Sequence, residues 1–265
     1  GTGGDSALRF RKSFRQRQRA SHHDGKRPGK TLKQQERRQR RRVSVCSRGS
    51  YVNSKMITLP TPPAAPDYWL ADDDLCACFG ALYARLLPRL PADRPTRIVG
   101  ISGCHRDSGV STVAGGLAAA AAKECSGRVL LIDASGHAEA AAESVPGLVD
   151  LLVGSCGPDQ ALQPGPMENL WMLPAGGPAP VGFDIAAASL SELIRGLSLD
   201  FSFIVVDMAP VDELAGGLDV TAAVDGIVLV LEAGLTTRDQ ARTAQLRLWR
   251  QRLLGTVLNK CEVIY

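Results

Sequence analysis

The sequence predicts a three-layer α/β domain, a mostly parallel sheet with helices on both faces. Two observations predict it. Short apolar runs at 97–102 (RIVGIS), 128–133 (RVLLID), 169–174 (NLWMLP), 203–207 (FIVVD), 226–232 (GIVLVLE) and 254–259 (LGTVLN) are continuous rather than alternating. That is the pattern of strands buried on both faces. Between them lie stretches of helical length at 110–124, 146–154, 185–199, 213–224 and 237–252. Strand, crossover helix and strand in repeated order build a parallel sheet, and such sheets bind ligands at the carboxyl ends of their strands.

The elements follow in chain order. Residues 1–55 hold 17 of the 31 Lys and Arg but only 3 of the 27 Asp and Glu, a net of +14. The other 210 residues carry 14 basic and 24 acidic groups, a net of −10, so the overall +4 is a cancellation. The basic stretch has few aliphatics and no period, and it cannot bury enough apolar surface to offset its chain entropy. It reads as a disordered segment of translated sequence ahead of a start at Met56. A basic arm for nucleic acid or an anionic membrane, centred on Arg37-Arg38-Gln39-Arg40-Arg41-Arg42, is the alternative. Residues 56–73 form a Pro-rich lead-in, and residues 74–265 form the domain. The domain's acidic balance predicts no specific nucleic-acid partner. No run of 18 apolar residues exists to make a transmembrane helix. Seven scattered cysteines predict no disulfide framework, and Cys76-Ala77-Cys78 has no second pair to complete a zinc site.

A helix at 74–87 precedes the first strand. After that strand comes Gly103-Cys104-His105-Arg106-Asp107-Ser108-Gly109-Val110-Ser111-Thr112, and then a helix whose residues 118–122 are all alanine. Strand, small-residue loop, Gly-x-Ser-Thr and helix are the layout of a Walker A phosphate loop. There, backbone N–H groups cradle phosphates and a Ser or Thr hydroxyl binds Mg²⁺. Gly109 and Ser111 fit G-x-x-x-x-G-K-[ST], whereas Cys104 stands at the first glycine and Val110 at the lysine. Two further runs end in aspartate, Asp133 and Asp207, where a phosphate-loop ATPase places the carboxylates that hold Mg²⁺.

These blocks, with Pro146-Gly147-Leu148-Val149-Asp150-Leu151-Leu152, FIVVDMAPV, DGIVLVLEAG and LGTVLNK, occur in the order found in bacterial tyrosine kinases of capsule and exopolysaccharide synthesis. From about Leu75 to Lys260 the chain resembles that CpsD/CapB-type family, a branch of the MinD/ParA P-loop NTPases. The resemblance implies a three-layer P-loop NTPase domain that binds ATP and Mg²⁺. It implies catalytic roles for Asp133 (Walker A′) and Asp207 (Walker B), and Ser111, Asp133 and Asp207 as metal ligands. Nucleotide contacts would come from Arg106, Asp107, Ser108, Gly109, Val110, Ser111 and Thr112, with Asn259 near the adenine. A membrane polysaccharide co-polymerase or export protein is the implied partner. A homo-oligomer and a cytoplasmic location, including the inner membrane face, go with it.

The chain also departs from that pattern. Besides Val110, the D-x-D of Walker A′ reads Asp133-Ala134-Ser135, and His137 stands where an arginine is usual. Walker B reads Asp207-Met208-Ala209-Pro210 in place of D-x-P-P. The Glu and Arg that the family uses for ring assembly are missing from Ala77 to Tyr83, and after Asn259 the only tyrosine is Tyr265. The expected function is therefore a degenerate, kinase-like regulator of polysaccharide synthesis or export with weakened or lost ATP binding. An active Mg·ATP-dependent kinase or ATPase, with Arg106 standing in for the lysine, is the alternative. A ParA/MinD-type positioning ATPase ranks third. Asn259-Lys260-Cys261-Glu262 resembles the N-K-x-D of GTPases except for its final Glu. Trp171 and Met172 are expected in the core, and Trp249 packed on a helix face. His105 and His137 lack the spacing of a metal site.

Overall fold

The computed structural model describes residues 73–135, 145–178, 187–214, 220–248 and 251–261. The expected basic segment 1–55, nearly all of the lead-in, His137, Trp249 and Tyr265 lie outside them. In chain order the elements are α1 (Asp73–Leu86), a 3₁₀ turn (Leu87–Arg89), β1 (Arg97–Gly103), α2 (Val110–Glu124), β2 (Val129–Ala134), α3 (Leu148–Val153) and α4 (Pro158–Ala161). There follow β3 (Gln163–Pro164), β4 (Leu170–Leu173), α5 (Ala187–Leu197), β5 (Phe203–Met208), a 3₁₀ turn (Val220–Ala223), β6 (Gly226–Glu232), α6 (Arg238–Arg247) and β7 (Leu253–Asn259).

The strands form one seven-stranded sheet in the order β3-β4-β2-β5-β1-β6-β7. Only the β3–β4 pair is antiparallel; the other five pairs are parallel. All six expected strands are present, to within two residues at each end. The two-residue β3 was not foreseen, because Gln163-Pro164 has neither an apolar run nor a period, and proline is tolerated at such an edge. The stretch 213–224, expected as one helix, instead shows a turn at 211–214 and the 3₁₀ turn Val220–Ala223, with 215–219 outside the described residues.

The two faces of the sheet carry separate cores. On one face Val99, Ile101, Val129, Phe203, Val205, Val228 and Val230 pack under α2 and α1. On the other Ile98, Leu130, Ile132, Ile204, Val206, Ile227 and Leu229 pack under α3, α5 and α6. Trp171 belongs to this second core, whereas Met172 is half-buried. The alternation is the period-two geometry of strands, and it shows why each run had to be apolar throughout.

The alanine run of α2 has a structural reason. Ala114, Ala118 and Ala121 are fully buried, and small side chains let the helix lie close to the sheet. Outside α2, the Phe79 ring of α1 sits on Gly116, where a Cβ would collide with it. Tyr83 of α1 reaches past α2 to meet Phe203 edge-on, with ring centroids 5.3 Å apart. At the amino edge of the sheet, the buried Asp225 carboxylate accepts from the Ile98 N–H (2.8 Å) and from Arg94 (2.6 Å). It thereby holds the entry to β1. Among the described residues no helix is long and apolar enough to cross a membrane, and the six cysteines are unpaired.

Candidate functional site

The carboxyl edge of the sheet brings the expected residues together. β1 ends at Gly103, and the loop 104–109 leads into α2, whose N-cap is Gly109 in the left-handed region (φ 91°). β2 and β5 are neighbours with Asp133 opposite Asp207, and Asp207 is also opposite Ile101 of β1. By the period of two, both aspartates share the face of Val129, Phe203 and Val205, which is the face that α2 covers. Loop, helix N-terminus and both carboxylates therefore belong to one face at one edge. Asp207 is buried at 6% exposure. Asp133 is half-buried, and one of its oxygens accepts from the Ser135 N–H (3.0 Å) and hydroxyl (2.7 Å). Ser135, two residues on, thus braces the Asp133 carboxylate.

Within the loop each position has its own environment. Cys104 is buried in the α3–α5–α6 core. Burial pushes its thiol up, and the nearby Asp212 charge adds to the effect. His105 places Nδ1 2.8 Å from the Arg106 carbonyl, which can only accept. Nδ1 is therefore a donor, and Nε2 forms a hydrogen bond with the Thr236 hydroxyl at 3.1 Å. Arg106 is bound two-pronged by Glu213, at 2.5 and 2.6 Å. Asp107 is exposed with φ 60°. The Ser108 hydroxyl is buried and has no hydrogen-bond partner among the described residues. It fills the base of the loop against Gly103, together with Val110, whose Cγ2 would lie 2.8 Å from a Cβ at Gly103. Ser111 is exposed at the start of α2 and Thr112 is half-buried.

The end of β7 closes the loop from the other side. Asn259 donates to the Ser108 carbonyl (2.9 Å). Lys260 donates to the Asp107 carbonyl (2.7 Å) and to Glu232 (3.0 Å). Glu232, Thr236, Glu213 and Lys260 were not among the residues expected at the site. One signal was present, since Glu232 ends the run 226–232 as Asp133 and Asp207 end theirs.

The donor set fits Mg²⁺. A hydroxyl and two carboxylates at one edge are hard oxygen ligands, and Ser111, Asp133 and Asp207 are the residues that would hold such an ion. Phosphate fits in part. The loop and the first turn of α2 offer backbone N–H groups and the positive end of a helix dipole. No cationic side chain among the described loop residues is free to face them, because Val110 is apolar and Arg106 is held by Glu213.

Next to the loop, α3 begins where Asp150 accepts from the Gly147 N–H (3.0 Å), the Gly177 N–H (3.2 Å) and the Ser155 hydroxyl (3.2 Å). Burial works to raise this carboxyl. The backbone N–H groups and Ser155 outweigh burial and hold it below the ordinary carboxylate value. A lowered pKa makes the stabilisation complete above the unfolded value of about 4 and lost as pH falls through the lower folded value. Asp150→Asn is expected to cost about 1–2 kcal/mol near neutral pH. Denaturant unfolding of both proteins from pH 7 to pH 2 should show the gap closing toward acid, and a constant gap would contradict this.

No family model matches the chain. It is similar to tyrosine-protein kinase YwqD of Bacillus subtilis, 28% identical over 175 residues, covering 63% of this chain and 73% of YwqD. It is also similar to succinoglycan biosynthesis transport protein ExoP of Rhizobium meliloti, 28% identical over 185 residues. That match covers 65% of this chain but only 23% of ExoP. Among solved structures, the kinase domain of Escherichia coli tyrosine kinase ETK superposes with a TM-score of 0.65 at 20% identity, covering 80% of this chain and 88% of that one. The cell division protein MinD of Aquifex aeolicus superposes at 0.51 and 20% identity, over 63% and 70%. The chain is thus a homologue of the bacterial tyrosine kinases of the YwqD and CpsD type and has the α/β fold of the P-loop NTPases.

Proposed function

We propose that this protein is a degenerate member of the exopolysaccharide kinase group, one that binds Mg·ATP weakly and regulates polysaccharide synthesis or export without transferring phosphate. One observation carries the reading: a phosphate-type loop beside two register-paired aspartates, with an apolar Val110 where the loop's cation belongs. The ion pair of Arg106 with Glu213 weighs against Arg106 as the substitute. The similarity to ExoP, a transport protein of succinoglycan biosynthesis, supports a membrane co-polymerase or export protein as the partner. It also supports a peripheral place at the cytoplasmic membrane face, and self-association is proposed beside it. Residues 1–55 are proposed to be dispensable for this role, and residues 74–265 to form the domain.

The test is a calorimetric titration of the full chain with ATP, with and without Mg²⁺, beside an assay of ATP turnover and autophosphorylation. Binding near the millimolar range and no phosphotransfer are expected. Robust Mg²⁺-dependent turnover that Asp207→Ala abolishes would establish the active enzyme instead.

A further inference from the structure

We propose that Asn259 and Lys260 are positioning residues that shape the phosphate loop from outside, in place of the lysine missing inside it. The proposal rests on the nucleotide reading above. Asn259 holds the carbonyl of Ser108 and Lys260 the carbonyl of Asp107. In a trans peptide the C=O of one residue and the N–H of the next point in opposite directions. Pulling the Asp107 and Ser108 carbonyls toward β7 therefore turns the N–H groups of Ser108 and Gly109 away from β7. Two adjacent amides on one side of a turn with left-handed residues make an anion-binding nest, and Asp107 and Gly109 have φ of 60° and 91°.

The latch is itself anchored. Lys260 has φ 57° and is held by Glu232 at the end of β6. The Glu232 N–H donates to Thr236 (2.8 Å), whose hydroxyl also meets His105. A Cβ at Gly109 would collide with the Asn259 amide, so a glycine there is what lets the latch close. Loop residues 105, 107 and 108 are thus tied to the ends of β6 and β7, whereas Val110 contributes no polar contact.

The experiment compares the full chain with Lys260→Met and Lys260→Arg, alone and combined with Val110→Lys. It reads hydrogen exchange of the 104–110 amides without ligand, thermal unfolding, and titration with Mg·ATP and with Mg·pyrophosphate. A hydrogen bond from a charged donor is worth about tenfold or more in an equilibrium, so Lys260→Met should speed loop exchange and weaken both ligands by about 10-fold. The unfolding temperature should stay within about 2 °C, because the side chain is at the surface. Lys260→Arg should restore most of the effect. In the Val110→Lys background the loss should shrink to about 3-fold or less, because an internal lysine makes the external one redundant. Unchanged loop exchange, or equal losses in both backgrounds, would overturn the proposal. Faster exchange in a protein that binds neither ligand, with or without Val110→Lys, would uphold the latch and overturn the nucleotide reading.

Discussion

Lysine at position 110 is expected to tighten Mg·ATP binding by two to three decades. The loop's backbone donors and the start of α2 remain in the native chain. A helix dipole, however, contributes only about 0.3–1 kcal/mol per charge at an exposed site and up to about 2 when partly buried. A lysine–phosphate pair in a half-buried loop adds about 3–4 kcal/mol, and each 1.4 kcal/mol is tenfold in affinity. Removing it takes a micromolar site to about millimolar. Val110 sits at the loop base against Gly103 and on the α2 face of the core. A lysine stem can keep that apolar contact while its ammonium leaves the loop base. Titration of Val110→Lys against the native chain, with and without Mg²⁺, reads the gain directly. The same variant should still transfer no phosphate, because the Asp133 carboxylate has a serine, Ser135, two residues on instead of a second carboxylate. If Val110→Lys gains less than about threefold, the site lacks more than its cation and the proposed binding function falls.

Gly116→Ala is expected to destabilise the protein by about 3 kcal/mol, because a core that must admit a methyl group shifts at a cost of about 1–3 kcal/mol or more. A Cβ at Gly116 would overlap three atoms of the Phe79 ring. That ring is buried at 7% exposure between α1 and α2. It cannot back away without lifting α1 and parting Tyr83 from Phe203. A loss of this size lowers the unfolding temperature of a domain this large by about 6–12 °C. Gly80→Ala, one residue from Phe79 on the same helix, is the control. Nothing lies within 4 Å of a Cβ there, and removing a helical glycine should stabilise by about 0.5–1 kcal/mol. Matching unfolding curves for the two variants would show that α1 is not wedged on Gly116.

The strands were legible because a parallel sheet covered on both faces demands apolar residues at every position, and continuous runs such as 203–207 stand out at once. β3 was not legible, since a two-residue edge pair needs no pattern. Of the helix expected over 213–224, the described ends are a turn at 213–214 and the 3₁₀ turn Val220–Ala223, because helical length between two strands does not by itself make a helix. At the site, the loop and both aspartates announced themselves by type and place at strand ends. Asn259 was expected from its place after the last strand, and the structure adds a contact that place does not announce, its amide N–H donated to the Ser108 carbonyl. Glu232 went unread, and Lys260 was noted only for its likeness to N-K-x-D, because their contacts are not written in local spacing. Lys260 meets Asp107 across 153 positions of chain.

The sequence by itself determined the order of the elements, the two-faced burial of the sheet and the absence of a lysine at position 110, because composition and period act locally along the chain. Only the tertiary structure decided which charges are free at the carboxyl edge. It gave Arg106 to Glu213, Lys260 to Glu232 and the Asp107 carbonyl, and Ser135 to Asp133. The physical reason is that a side chain's charge is usable only if no nearer partner claims it, and most of those partners arrive from distant strands. Register did the rest. Parallel pairing set Asp133 opposite Asp207 to the residue, and a slip by one would have turned one of them to the other face of the sheet.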